Sequence, residues 1–228
     1  MFDNLSIVKT PKAARRLLPS ALWKVRTREK KLYLTFDDGP IEEATPVVLD
    51  ILKQYDAKAS FFVLGKNVAA HPDIYYRILS EGHKIGNHTF DHLNGWQVQN
   101  ELYYENVAQC TSQLQAMGTH AVPAGAHHEE EPAEEHQYFR PPYGKLTIAQ
   151  YNKLKKRYKI VMWDVLSFDF DLRITKEQVL DNVINNAVAG SIVVFHDSLK
   201  AMDKMLYALP LVLEHYSQLG YTFETLPD

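Results

Sequence analysis

Two adjacent carboxylates, Asp37 and Asp38, close the apolar run KLYLTF (31–36) and are followed at once by Gly39 and Pro40. Like charges at that spacing repel. A chain that sets them where water is scarce must supply a cation or use one of them for proton chemistry. His88 and His92 stand four residues apart in NHTFDH (87–92), so one helical turn or a compact loop can aim both rings at one point. With one carboxylate they would form a three-ligand site that leaves positions open for water and substrate, the arrangement of a catalytic rather than a structural zinc. One aspartate of the pair could then be a ligand while the other stays free to handle protons.

Those residues have to be held by something, and the periodicity of the chain says what. Seven short apolar runs, KLYLTF (31–36), ASFFVLG (59–65), HKIGN (83–87), QYFR (137–140), KIVMWDVL (159–166), SIVVFH (191–196) and YTFETL (221–226), alternate with stretches of helical spacing. The clearest of these runs from Met202 to Leu219, with Pro210 expected to kink it. Thr45 before Pro46, and Thr175 with Gln178, read as helix starts. Repeated β-then-α units predict an α/β fold, a mainly parallel sheet closed or nearly closed into a barrel of about seven strands. In such barrels the loops at the C-terminal ends of the strands converge on one mouth. Polar residues collect there five times: Asp37 and Asp38, NHTFDH, RPPYG (140–144), SFDF (167–170), and His196 with Asp197, the last read as a helix cap.

Bulk properties narrow the field. The 228 residues, 46% of them hydrophobic, suffice for one well-buried core. A formal net charge of -3 argues against a nucleic-acid binder working by general attraction to phosphate. The single cysteine, Cys110, excludes an intramolecular disulfide and reads as a small buried residue. No run approaches the ~20 apolar residues of a membrane span, and the N-terminus lacks the apolar core of a secretory signal, so the expectation is a cytoplasmic protein.

Charge is uneven. Residues 1–31 hold nine Lys/Arg against two Asp/Glu. The basic arm 1–30, with Leu17, Leu18, Leu22 and Trp23, could pack along the 31–228 domain or lie on an anionic membrane surface. The stretch 119–137 is acidic, contains proline and carries His120, His127, His128 and His136. It reads as a solvated insertion, with a lid or a metal-binding loop as the functional alternative.

TFDDGP (35–40), HTFDH (88–92), RPPYG, SFDF and VFH (194–196) resemble, in order and spacing, the five motifs of the NodB-type polysaccharide deacetylases, carbohydrate esterase family 4. The resemblance runs from about residue 31 to the C-terminus. It implies a distorted (β/α) barrel, the NodB homology domain, and metal-dependent removal of acetyl groups from N-acetylated sugars. On that resemblance Asp38, His88 and His92 bind the metal, Zn²⁺ or else Co²⁺ or Ni²⁺, and Asp37 is the general base held by Arg140. The backbone N–H of Tyr143 stabilises the oxyanion. His196, oriented by Asp169, protonates the leaving amine, and Phe170, Val194, Trp163 and Pro142 line the acetyl and substrate pocket.

The fourth motif departs from the family pattern, with Leu166 and Phe170 where an aspartate and a tryptophan are usual. That bears on substrate preference and leaves the reaction feasible. The partner implied is an acetylated glycan: chitooligosaccharide, peptidoglycan-like or lipid-linked. An O-acetyl ester or cyclic amide is the enzymatic alternative on the same metal site. A non-catalytic glycan-binding domain is the alternative of another class. Its signature would be loss of the base, a ligand or the acid, and Asp37, Asp38, His88, His92 and His196 are all present.

Overall fold

The computed structural model describes residues 7–120 and 137–227. The readings made for the acidic insertion and its histidines lie outside the described residues, apart from the backbone of residues 119 and 120 and from Gln137. In chain order the elements begin with a single turn α1 (Lys12–Arg15), then β1 (Lys31–Asp37), α2 (Thr45–Gln54), β2 (Ala59–Val63), α3 (Gly65–Ala70), α4 (Pro72–Ser80) and β3 (Lys84–Asn87). There follow α5 (Asn100–His120), β4 (Gln137–Phe139), α6 (Ile148–Leu154), β5 (Tyr158–Ile160) and β6 (Val165–Leu166). The chain ends with α7 (Lys176–Ile184), β7 (Ile192–His196), α8 (Met202–Gln218) and β8 (Thr222–Phe223).

The strands run β5-β4-β3-β2-β1-β7-β6, every pairing parallel, with β8 beside the first residues of β1. This is the nearly closed parallel sheet that the alternation predicts and the distorted (β/α) barrel that the family resemblance implies. Helices cover the outside, so central strands are apolar on both faces. In β1 every residue after Lys31 is buried, and all of β2 is. Phe36 stacks on Phe61 at 5.0 Å and on Phe195 at 6.0 Å, tying β1, β2 and β7 into one core. Cys110 is buried, and burial pushes its thiol up to about 12.

The run 159–166 is not one strand, because long-range partners take its middle. Val161 N bonds Phe139 O and Met162 N bonds Leu22 O, while Arg140 occupies the carbonyls of Val161 and Met162. β5 therefore stays with β4, β6 goes to β7, and the barrel is open between them. The N-terminal arm enters that opening: Leu22 bridges Val161, Lys9 bridges Val165 and Lys24 bridges Ser191. Asp164, fully buried, accepts from Arg15 at 2.5 Å and from Ser191 at 2.5 Å. Leu18, Leu22 and Trp23 of the arm pack against the domain, whereas Ile7 and Leu17 are exposed.

Two capping boxes start helices: the expected one at Thr175 and Gln178, and a second at Thr147 and Gln150. Pro210 lies inside α8 without ending it. Thr45 occupies the first turn of α2, as its place before Pro46 predicts, but its hydroxyl does not cap the helix and donates instead to Asp197. Asp197 is likewise no helix cap, since α8 begins only at Met202.

Candidate active site

Parallel register brings Asp37 of β1 level with His196 of β7 and with Phe62 of β2, and sets Asn87, which ends β3, beside Phe139 of β4. All the polar residues noted at strand ends therefore meet at one mouth. Of these, Asp37, Asp38, His88, His92, Tyr143 and His196 line a cavity of about 710 Å³.

Asp37 is buried, and Arg140, with no exposed surface, donates to its Oδ1 at 2.6 Å and to Thr35 Oγ1 at 2.8 Å. The remaining guanidinium donors reach Met162 O and Val161 O, and the group lies 4.0 Å over the Phe62 ring. Each of the three guanidinium nitrogens thus has an acceptor. One Asp37 oxygen is held while Oδ2 turns toward His88 Nε2, 4.0 Å away.

Asp38 behaves differently. Its Oδ1 lies 3.1 Å from His92 Nε2 and 3.7 Å from His88 Nε2, yet it is buried without hydrogen-bond geometry to any partner. Asp38, His88 and His92 each offer one donor atom, and the three lie within 4.8 Å of one another. An orphaned buried oxygen beside two ring nitrogens is what co-ligands look like when they are aimed at a shared centre and not at each other. His88 Nδ1 is 2.7 Å from Arg140 O. Donating there fixes the tautomer and leaves Nε2 with a lone pair toward the cavity. Burial, with His92 adding to it against the pull of Asp37 and Asp38, lowers His88 to about 4, so the ring is neutral at pH 7 as a ligand must be. Burial alone would raise the Asp38 carboxyl, but the nearness of His92, His196 and His88 carries it below the usual carboxylate range.

On the other side, His196 Nδ1 meets Asp169 Oδ1 at 2.8 Å, and Asp169 Oδ2 accepts from His196 N at 2.7 Å. Burial lowers the imidazolium's affinity for its proton, yet Asp169, with Asp38 and Asp37 behind it, more than offsets this and raises His196 to about 9. Phe170 packs edge-on against His196 at 4.8 Å, and Phe170, Val194, Trp163 and Leu166 form the apolar wall. Pro142 is buried and is not among the residues lining the cavity; Pro141 lines it instead.

The backbone around the site is held in a rarely populated conformation. Asp38, Thr89, His92, Tyr143 and Phe168 all have positive φ, between 61° and 85°, which costs of order 1–3 kcal/mol each outside glycine. Side chains that sequence reasoning missed hold these turns. Asn67 Nδ2 donates to Asp38 O, and Asn106 Oδ1 accepts from Phe90 N and Asp91 N. Asn87 Oδ1 accepts from Thr89 N, whose hydroxyl in turn accepts from His92 N. Asp197, buried, accepts from Gly39 N at 3.1 Å and from Thr45 Oγ1 at 2.6 Å, and burial raises its carboxyl to about 8. A Cβ on Gly39 would lie 2.0 Å from Asp197 Oδ2, so only glycine fits under this clamp. Nothing local distinguishes Asn67 or Asn106; Asn87 and Thr89, inside NHTFDH, and Asp197, beside His196, carried a signal of position but not of this role.

A barrel with this mouth is the frame of a carbohydrate deacetylase, and comparison with known proteins agrees. Residues 24–160 match the polysaccharide deacetylase family. A peptidoglycan-N-acetylglucosamine deacetylase of Bacillus cereus is 33% identical over 211 residues, covering 90% of this chain and 91% of that protein. A chitooligosaccharide deacetylase of Azorhizobium caulinodans is 32% identical over 176 residues, 76% of this chain and 77% of its own. The crystal structure of a peptidoglycan N-acetylglucosamine deacetylase superimposes with a TM-score of 0.80 at 30% identity, covering 96% of this chain and 95% of the other. The chain belongs to the polysaccharide deacetylases, the NodB-type proteins of carbohydrate esterase family 4. Among the described residues no helix is long and apolar enough to cross a membrane.

Proposed function

We propose that the protein is a metal-dependent hydrolase that removes acetyl from N-acetylated amino sugars, in chitooligosaccharide, peptidoglycan-like or lipid-linked glycans. The observation that carries the reading is the separation of roles within the Asp37 and Asp38 pair: one carboxylate bonded to a buried arginine, the other left unpartnered beside two histidines.

Asp38, His88 and His92 would hold Zn²⁺, and their mixed N/O set would also accept Co²⁺ or Ni²⁺. A bound ion of this kind polarises the acetyl carbonyl and lowers the pKa of a bound water. Asp37 Oδ2, left open by Arg140, takes the proton of the attacking water. The Tyr143 N–H, on a residue that lines the cavity, would stabilise the oxygen that becomes an oxyanion. The sugar nitrogen leaves with a proton from His196 Nε2, because Nδ1 is committed to Asp169. The acetyl methyl lies against Phe170, Val194 and Trp163.

The test is acetate release from chitooligosaccharides and peptidoglycan fragments by protein stripped with a chelator and then given Zn²⁺, Co²⁺ or Ni²⁺. Release restored by metal supports the proposal. Release by the stripped protein at the full rate, or none with stoichiometric metal, contradicts it.

A further inference from the structure

We propose that Trp96, with Lys145, forms a second sugar platform beside the catalytic cleft, receiving the unit next to the one that is deacetylated. The inference rests on the deacetylase reading and adds to it the residues that hold the neighbouring sugar.

Among the described residues only two Phe, Tyr or Trp side chains are exposed, Trp96 at 63% and Tyr143 at 59%. Both stand at the same edge of the mouth. Tyr143 lines the cavity and packs edge-on against His92 at 4.6 Å. Lys145 Nζ lies 5.9 Å from the Tyr143 ring centre and 5.2 Å from that of Trp96. The two rings therefore stand within the reach of a disaccharide, with an ammonium between them. Trp96 itself lies just outside the cavity wall.

The indole is held in place. Its Nε1 donates to Leu146 O at 2.9 Å, and Trp96 N donates to Asn94 Oδ1 at 3.1 Å. Behind it Gly95 is pressed so closely that a Cβ would meet Gln150 Oε1 at 2.6 Å and Lys145 O at 2.7 Å. Gln150 Nε2 in turn donates to Gly95 O at 2.8 Å. A tryptophan fixed by its N–H yet left in water buries little of the surface that makes the residue useful in a core. Such a ring suits a ligand with an apolar face and a polar edge, and little conformational entropy is left to lose on binding. A pyranose has that shape: its C–H face covers the indole while its hydroxyls meet the Lys145 ammonium, which has no carboxylate within salt-bridge distance among the described residues.

The experiment compares Trp96→Ala and Trp96→Phe with the unsubstituted zinc-loaded protein on N-acetylglucosamine itself and on its five-sugar oligomer. Calorimetric binding of the same two sugars is run in the zinc-loaded Asp37→Asn background. The alanine variant is expected to raise KM for the five-sugar oligomer on the order of tenfold more than for the single sugar, which has no neighbouring unit to reach the indole. Phenylalanine should recover much of the difference, and the affinities should follow the same order. An equal loss on both lengths, or no loss on either, overturns the platform. If the unsubstituted protein releases no acetate but five-sugar affinity still depends on Trp96, the platform stands and the deacetylase reading fails. Acetate release with no dependence on Trp96 separates the two the other way.

Discussion

The two sides of the mouth use one device with opposite results. At the end of β1 a buried carboxylate, Asp37, is bonded to a buried cation, Arg140; beside β7 the buried carboxylate Asp169 is bonded to His196. In each pair a low-polarity setting makes the partners depend on each other. The cation decides the outcome. A guanidinium keeps its protons at any working pH, so the first pair can only receive a proton, through the free oxygen of Asp37. An imidazolium can give its proton up, so the second pair can donate one. A base and an acid thus flank one cavity, and Asp38, in neither pair, is left to the two histidines.

Breaking the first pair should have the largest effect. Arg140→Leu leaves Asp37 as an uncompensated buried charge and strips Thr35 and two backbone carbonyls of their donor. The expected cost is about 3–5 kcal/mol of stability, read as a lowered denaturation midpoint at unchanged slope, with turnover lost. A midpoint within error of the unsubstituted protein would remove the pair from the account.

Asp169→Asn tests the second pair by pH. Because His196 is raised from 6.5 to about 9, its contribution to stability is fully present below 6.5 and is lost as pH rises through the folded value. On the proposed mechanism, the acid form of His196 that protonates the leaving amine is lost over the same range. The asparagine variant should move the alkaline limb of kcat to lower pH as well as reduce the maximum. An unmoved limb would show that Asp169 does not set the His196 proton.

A smaller effect is expected at Asp197→Ala, which frees Gly39 N and the Thr45 hydroxyl inside the protein, at about 1–3 kcal/mol. Metal affinity should fall with it, since the loop carrying Asp38 loses its clamp. Wild-type stability and metal binding together would make Asp197 a bystander.

These comparisons also show how far the sequence could be read. Asp37, Asp38, His88, His92, Arg140 and His196 were legible because each ends or follows an apolar run, and a parallel barrel sends all such ends to one mouth. The seven-strand order failed only at KIVMWDVL, where apolar periodicity continues although Arg140 and Leu22 take the hydrogen bonds of its middle. Asn67, Asn106 and Asp197 were illegible as loop supports for the same reason: their partners lie 15 or more residues away. Asp197 beside the start of a helical stretch looked like a cap. Its actual acceptor role depends on β1 and β7 being neighbours. The five positive-φ residues are likewise imposed by tertiary contacts, not by local preference.

The central claim is that adjacent aspartates divide the labour, and metal content measured beside acetate release in Asp37→Asn and Asp38→Asn tests it most directly. The account predicts that Asp37→Asn keeps stoichiometric zinc and loses turnover by roughly 10²-fold or more, whereas Asp38→Asn loses the zinc itself. Zinc lost from Asp37→Asn and retained by Asp38→Asn would mean that the two roles are exchanged.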